Sequence, residues 1–433
     1  MKKRLMVVLA MTLSASMLFT ACSSGSSSTS SSSKEKASIK ISTWAGADES
    51  KEFQKIIDKL NEKSTEYKIV QDSNPADYDT RLTTQLSGKG GPDIFWVSAQ
   101  RASQLAAKGA MLDITDKLSS SKKDAAKTSD YFEESLAPFK NNGKIYGLPW
   151  IMQPVVMYYN KDLFDKAGVS YPDGTWNWDK FTDAAKKLTA DSNGKHPGDK
   201  GFDKSNVKQW GTTLNGWPPV QICIWQNGGD VISEDLTNSP IDTKEAKGGF
   251  KFYADLINSD MVPTQQIIKD RGFDTMFKNQ QVAMFMGGAA DSLETQVKFK
   301  CAVAEVPAGP TGIKATFGDI LGMGINVNTK NANAAFDALI DLTQAINEWK
   351  VMPPRKSLAT EEKMKELHPE RADAMKSIVN SMSYAKPYRY YENYPDWDNI
   401  FQTQLMDPVI NRHGNLEKLI PTVKPQLDAK LKK

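Results

Sequence analysis

The sequence predicts an α/β protein of two lobes joined by three chain crossings. Three observations carry that expectation. Strand-like and helix-like stretches alternate from Ile39 to Val97, the pattern of a mainly parallel sheet with helices on both faces. The same alternation resumes after Gly168. Between the two series lies GKIYGLPWIMQPVVMYYNKDLFDKAG, Gly143 to Gly168. There Pro149 and Pro154 impose extended backbone ahead of an apolar run, Val155 to Tyr159, that reads as a buried strand. A chain of 433 residues is long enough for two such cores.

The first 37 residues stand apart. Met1-Lys2-Lys3-Arg4 is a basic start, and Leu5 to Thr20 is apolar or small, shorter than the ~20 residues of a spanning helix. This segment ends in Leu18-Phe19-Thr20-Ala21-Cys22, which resembles a bacterial lipobox, with Phe19 in place of the usual leucine. Residues 1–21 are thus expected to be a lipoprotein signal peptide and Cys22 the lipidated N-terminus. The almost pure serine run Ser23–Ser33 makes 22–37 a flexible tether.

In the first lobe, Ile39 to Trp44 alternates as a strand. Phe53, Ile56, Ile57 and Leu60 have helical spacing. Tyr67–Val70 is a second strand, Arg81–Leu86 lies in a second helix, and Asp93–Val97 is a buried strand after Gly90-Gly91-Pro92. At the crossing, Asn160 is placed to cap a short helix, Lys161–Lys166, that Gly168 ends. In the second lobe, Trp178, Phe181, Ala185 and Leu188 mark a helix, Gln209–Thr212 a strand, Phe250–Ile257 a helix and Val282–Met286 a strand. A second crossing is expected at Phe317–Ile320, a helix at Ala334–Trp349, a third crossing at Pro353-Pro354-Arg355 and a last helix near Leu416–Leu431. The lobes are then 38–151 plus 321–353 and 152–320 plus 354–433. There is no internal repeat and no coiled coil.

Once the basic start is set aside, 52 basic and 52 acidic residues remain, a balance that disfavours nucleic-acid or polyanion partners. Enzyme signatures fall short. The three histidines, His196, His368 and His413, lie in polar stretches, and HExxH, GxSxG and CxxC are absent from the sequence. Gly88-Lys89 is followed by glycine, and Gly322-Met323-Gly324 lacks the third dinucleotide glycine. The acidic residues leave a glycosidase carboxylate pair open. The loop Asp191–Asp203 begins Asp-x-Asn but carries Lys195 and Pro197 where a calcium loop needs oxygen. No cofactor or metal is expected. Cys223 and Cys301 sit in apolar runs and read as two separate buried thiols, with one disulfide as the alternative.

The ten tryptophans, many beside turn residues, give the better signal. Sugars present apolar C–H faces and a hydroxyl rim, which flat rings and Asp, Asn, Gln or Arg side chains match. In open parallel sheets ligands sit beyond the carboxyl ends of the strands. That places Trp44, Asp48, Trp96, Ser98 and Gln100 at one edge, Trp150 and Gln153 on the crossing, and Asp291, Asp319 and Arg355 at later strand ends or crossings. Trp217, before Pro218-Pro219, is the foremost ring, and Trp397 and Tyr388 belong to an aromatic cluster in the tail. Each has a structural alternative: Trp44 can close a strand, Asp48 can cap a helix, Trp96 can pack in the core. Trp176, Trp178, Trp225 and Trp349 read as packing residues.

Tyr146-Gly147-Leu148-Pro149 followed by Tyr158-Tyr159-Asn160-Lys161-Asp162-Leu163-Phe164 resembles the first hinge crossing of the extracellular solute-binding family 1, the maltose-binding-protein-like sugar receptors of ABC importers. Asp77–Leu82 with Gly90–Trp96, then Gly228-Gly229-Asp230, Gln281–Met284 and Gly322–Asn326, resemble later landmarks in order. The resemblance implies a type II periplasmic-binding-protein-like fold. It also implies a lipid-anchored (palmitate) monomer on the outer face of the bacterial membrane, which closes on an oligosaccharide or related carbohydrate and delivers it to permease subunits. It makes Asp48 a sugar contact, Trp96 a stacking ring and Gln153 the counterpart of a glutamate. Ala99-Gln100 stands where that group carries Asp-Arg, and Ala290 where many members stack a tryptophan, which shifts the expected floor to Trp217 and Asp291. A non-sugar solute, a surface glycoside hydrolase and a structural lipoprotein are the alternatives.

Overall fold

The chain opens with β1 (Ala37–Thr43), α1 (Ala47–Lys63), β2 (Tyr67–Ser73), α2 (Tyr78–Ser87), β3 (Ile94–Ser98) and α3 (Ala99–Ala107). It was obtained as a computed structural model, which describes residues 35–346, 349 and 352–431. The lipobox, Cys22 and the serine run lie outside the described residues. β1 pairs in parallel with both β2 and β3, so the expected parallel sheet forms there; beyond β3 the ladders that join β3, the crossing strands and the second half are antiparallel, so the sheet as a whole is mixed rather than mainly parallel. α1 buries Phe53 and Ile57 against it, and Tyr78, Leu82 and Leu86 of α2 are buried in the same way.

β4 (Gly147–Asn160) is the long crossing strand, buried along nearly all its length. Its alternating side chains feed two cores. Val156 and Tyr158 join the cluster that holds Ile39, Phe53 and Phe95, while Val155, Met157 and Tyr159 join a second cluster with Phe164, Phe250 and Trp397. Burial on both faces explains why this strand reads as continuously apolar. The short helix α4 (Lys161–Ala167) follows as expected. The Asn160 side chain accepts from Leu163 N at 3.2 Å, and Gly168 takes φ +63° to end it.

α5 (Trp178–Leu188), α6 (Gln221–Gln226), α7 (Lys244–Asn258), β5 (Met284–Gly288), β6 (Cys301–Ala304), β7 (Thr316–Ile325) and α8 (Ala332–Ile346) come next. β5 and β6 flank the second half of β4, both antiparallel. β7 is the second crossing strand: it runs antiparallel to β4 and then lies between β4 and β3. After α9 (Ala372–Met382), the short β8 (Ala385–Lys386) pairs in parallel with the start of β7. α10 (Tyr394–Ile400) and α11 (Leu416–Asp428) end the described chain. One eight-stranded sheet results, in the path β6-β4-β7-β3-β1-β2 with β8 on β7 and β5 on β4. β4 and β7 sit side by side in mid-sheet although β5 and β6 separate them in the chain, and their length lets these two strands serve both halves.

The expected strand at Gln209–Thr212 is shorter and earlier, Val207–Gln209, with Trp210 bridging Val282. The reason is close packing. A Cβ on Gly211 would lie 2.1 Å from the carbonyl oxygen of Ala185, so this segment presses its backbone onto α5 rather than extending a ladder. Among the described residues Cys223 and Cys301 are free. Burial pushes both thiols up to about 12, so they stay protonated at neutral pH.

Candidate functional site

Register brings the crossing residues together. Asp319 of β7 lies opposite Gln153 of β4, and Leu321 lies opposite both Ile151 and Ser98. Val155, two residues beyond Gln153, lies opposite Gly288 at the end of β5. The carboxyl ends of β3 and β5 therefore meet at the point where β4 and β7 pass from one core to the other. Gln153 Nε2 donates to Asp319 Oδ2 at 3.3 Å, and Gln153 Oε1 accepts from Ala290 N at 3.1 Å. Burial pushes the Asp319 carboxyl above the usual range, and the Gln153 amide and the Ile320 backbone N–H pull it back.

The turn after β5 is tightly held. Asp291 Oδ2 accepts from Gly288 N at 2.9 Å, Tyr158 Oη donates to Gly288 O at 2.8 Å, and Arg371 Nη2 donates to Ala289 O at 2.8 Å. The Asp291 carboxyl is raised by burial, against the Gly288 N–H that lowers it. This carboxylate is spent on shaping the turn, so its role as a pocket floor is indirect.

An aromatic wall stands beside Asp319. Trp217 meets Phe317 edge-on at 5.7 Å, Phe317 lies 4.6 Å from Tyr388, and Tyr388 lies 5.9 Å from Tyr390. Trp217 and Tyr390 are half-buried. Tyr390 packs on both cores, and its carbonyl accepts from Ser103 Oγ of α3 at 3.4 Å. Burial holds both phenols protonated, with the charges of Asp319 and Asp398 adding to the effect. Asp398 is itself raised by burial, while Gln402 and Tyr394 pull it down.

The first-lobe candidates divide. Trp44 is half-buried just past β1, edge-on to Tyr78 at 5.3 Å and to Trp96 at 5.2 Å. Ser98 caps α3, accepting from Arg101 N, and Gln100 in its first turn is half-buried. Asp48 is not the helix cap: Gly46 holds that position, and Asp48 projects from the first turn of α1, almost fully exposed, beside Lys51.

Four expected contacts are corrected. Trp96 is 0 % exposed, enclosed by Trp44, Phe53, Trp150 and Trp349. β3 is buried on both faces from Ile94 to Val97, so the ring lies within the core and is no open stacking face. Trp150 is 4 % exposed and donates through Nε1 to Gly322 O at 3.1 Å, which makes it a brace between β4 and β7. Trp397 is 0 % exposed and stacks on Tyr394 and Phe401 in the second core. Arg355 is buried away from the crossing pair, donating to Asp130 Oδ2 at 2.9 Å and to Gln344 Oε1 at 2.7 Å beside a separate cavity of about 550 Å³. Burial works against the Asp130 charge, but the bonds from Ser357 and Arg355 hold its carboxyl below the usual range.

Three groups at the site escaped the sequence reading. Tyr390 and Asp398 sit in a tail whose aromatic clustering was visible while its path was not. Arg371 carried no local signal, because its role comes from residue 289 on a distant turn. The Asp191 loop, weighed for calcium, supplies its own cation. Asp191 takes backbone N–H groups from Asn193, Lys195 and Asp203, and Lys195 Nζ donates to Lys200 O at 2.7 Å.

A crevice of about 480 Å³ also opens between Ala137-Pro138 and the Trp225, Asp230, Tyr388 and Tyr390 side. Among the described residues no helix is long and apolar enough to cross a membrane.

Residues 46–341 match the family model described as bacterial extracellular solute-binding protein. A putative binding protein of Brucella abortus is 28 % identical over 276 residues, 62 % of this chain and 62 % of its own length. The match thus takes in less than two thirds of that relative. The arabinooligosaccharide-binding protein of Bacillus subtilis is 34 % identical over 111 residues, 26 % of this chain and 24 % of that one. Among solved structures, an ABC substrate-binding protein of Listeria monocytogenes in complex with cycloalternan superposes with a TM-score of 0.75 at 23 % identity, covering 91 % of this chain and 99 % of that one. The cyclic alpha-maltosyl-1,6-maltose binding protein of Arthrobacter globiformis gives 0.75 at 18 % identity, covering 92 % and 99 %. At these identities the likeness is one of fold.

Proposed function

The chain belongs to the bacterial extracellular solute-binding protein family, and from that premise we propose that it is the substrate receptor of an ABC importer, capturing an oligosaccharide or related carbohydrate. One observation carries the reading: a partly buried carboxylate and an amide, Asp319 and Gln153, are paired on the two crossing strands beside the rings of Trp217, Tyr388 and Tyr390. Rings can cover the apolar faces of a sugar and the carboxylate can accept from its hydroxyls. Each ring contact contributes about 0.5–1.5 kcal/mol beyond its area. A few of these with a few hydrogen bonds reach micromolar affinity, about −8 kcal/mol.

The lobes are 38–151 plus 321–353 and 152–320 plus 354–433, and they close about the crossings. A ligand that touches both sides only when they are closed stabilises the closed state. Trp44, Ser98, Gln100 and Asp48 supply the first-lobe side, and Trp217 and Tyr390 the second, with Asp291 acting indirectly by shaping the turn after β5. Cys22 carries the lipid anchor, which holds a monomer at the outer membrane face within reach of its permease. Relatives named for arabinooligosaccharide and for maltodextrin support a carbohydrate substrate.

Thermal unfolding against a panel of mono- and oligosaccharides tests the proposal. A sugar at about 100 times its Kd adds about 2.7 kcal/mol to native stability. A sugar-specific rise in Tm without product formation supports it. A flat response from folded, ligand-free protein refutes the carbohydrate reading, and turnover of the sugar refutes the receptor reading.

A further inference from the structure

We propose that Gln153 is a positioning residue, whose amide ties the turn Gly288–Asp291 to Asp319 and so fixes that carboxylate as the hydroxyl acceptor of the crossing. The inference rests on the carbohydrate reading only for what Asp319 accepts; the tie itself is a property of the protein alone.

The amide has one orientation. Ala290 N can only donate, so the carbonyl end of Gln153 must face it, at 3.1 Å. The NH₂ end is then left to face Asp319 Oδ2, at 3.3 Å. A neutral carboxamide accepts at one end and donates at the other, and an ionised carboxylate cannot donate. The turn in turn cannot drift, since Asp291, Tyr158 and Arg371 each hold one of its backbone groups. Space is also set aside for the amide: a Cβ on Gly288 would lie 2.7 Å from Gln153 Oε1. The glycine after β5 is therefore matched to the glutamine on β4.

Asp319 needs that donor. Burial raises its pKa, and the Gln153 hydrogen bond is the first force against it. The titratable groups whose charges act with it are Tyr388 and Tyr390 of the segment after β8, and Asp398 of α10 acts on the same two phenols. Arg371 and Lys278 act on Asp291 of the turn, while the groups that favour the charged form of Asp319 are the Gln153 amide and the Ile320 N–H.

The test is a ¹³C-carboxylate NMR titration of Asp319 in the full mature chain, its resonance assigned with Asp319→Asn, together with hydrogen exchange at the Ala290 amide. Gln153→Leu is expected to raise the Asp319 midpoint by about one pH unit, the size of one hydrogen bond to a charged group, and to speed exchange at Ala290. Gln153→Glu keeps the shape and carries the same test if the leucine variant does not fold. Protonated, it reproduces both bonds; ionised, it faces Asp319 with a like charge, so the two carboxyls titrate in two coupled steps. An Asp319 midpoint unchanged in Gln153→Leu, or one uncoupled step at the wild-type midpoint in Gln153→Glu, overturns the proposal. A glutamine that only fills space predicts those outcomes. A sugar panel without response would sink the carbohydrate reading and leave this titration result standing.

Discussion

Arg371→Met should destabilise the protein by about 3–5 kcal/mol, the cost of leaving one member of a buried ion pair alone. Arg371 donates through Nε to Glu294 Oε1 at 2.6 Å, and the two side chains are 4 % and 10 % exposed. The second oxygen, Glu294 Oε2, already has no hydrogen-bond partner among the described residues. Without the guanidinium, Glu294 keeps a buried charge with nothing to offset it, and Ala289 O loses its 2.8 Å donor. Urea unfolding measures the loss as a fall in midpoint at constant slope. The double variant Arg371→Met with Glu294→Leu should recover most of it, because replacing a whole buried pair by apolar groups is close to neutral. What remains lost is the bond to the turn, about 1–3 kcal/mol for an unsatisfied carbonyl. A single variant that costs less than about 1 kcal/mol, or a double variant as unstable as the single, would refute the account of a buried, dependent charge holding the turn.

Trp217→Ala should weaken binding of the panel sugar about twofold to tenfold, as expected for one stacking ring, with little change in Tm because the ring is half-buried; calorimetric affinity unchanged would remove Trp217 from the site. Gly288→Ala should cost about 1–3 kcal/mol of overpacking, since the new methyl would meet Gln153 Oε1 at 2.7 Å, and unfolding midpoints read that directly. The pH dependence has a definite sign. Asp319, Asp291 and Asp398 are all raised by burial, so between the ordinary carboxylate range and their folded values the native state binds more protons than the unfolded chain. Their contribution to stability grows as pH falls from neutral into that range. Asp113, lowered to about 2 chiefly by Lys144, acts the other way: its stabilisation is present above the ordinary carboxylate pKa and fades only as pH falls from about 4 towards 2. Asp398→Asn should flatten the rise on mild acidification, and an identical Tm profile in that variant would count against it.

Much of the fold was legible because local signals and tertiary contacts agree. Asn160 and Gly168 cap and end α4 where sequence placed them, and the apolar run Val155–Tyr159 is buried on both faces. The sequence placed Gln153 and Asp319 on two crossings, and the register of those two strands then sets them opposite each other. Legibility ends where packing decides. Trp96 and Trp150 occupy the expected strands, but both strands are covered on both faces there, so neither ring reaches an open surface, and which strands are covered on both faces is decided by tertiary packing. Trp397 failed for another reason, since a helix through an aromatic cluster buries whichever ring faces the other rings. The placing of Tyr390 and Arg371 was not legible because each has a partner far along the chain: the Ser103 hydroxyl donates to the Tyr390 carbonyl, and Arg371 donates to the Ala289 carbonyl.

The surroundings of the two carboxyls favour the proposed sugar over an anionic solute. The groups that act on Asp319 are an amide and a backbone N–H, and those that act on Asp398 are an amide and a phenol. Neither carboxyl leans on a lysine or arginine, whereas the buried acids with structural duties do: Asp130 on Arg355, Glu294 on Arg371, Glu305 on Lys314. A buried carboxylate without a cation is costly unless donors reach it. An anionic solute would bring more negative charge to such a place. Under the proposed carbohydrate reading, a neutral polyhydroxyl ligand brings O–H donors to Asp319 and an apolar face to Trp217 at once, so binding and closure would draw on the same carboxylate.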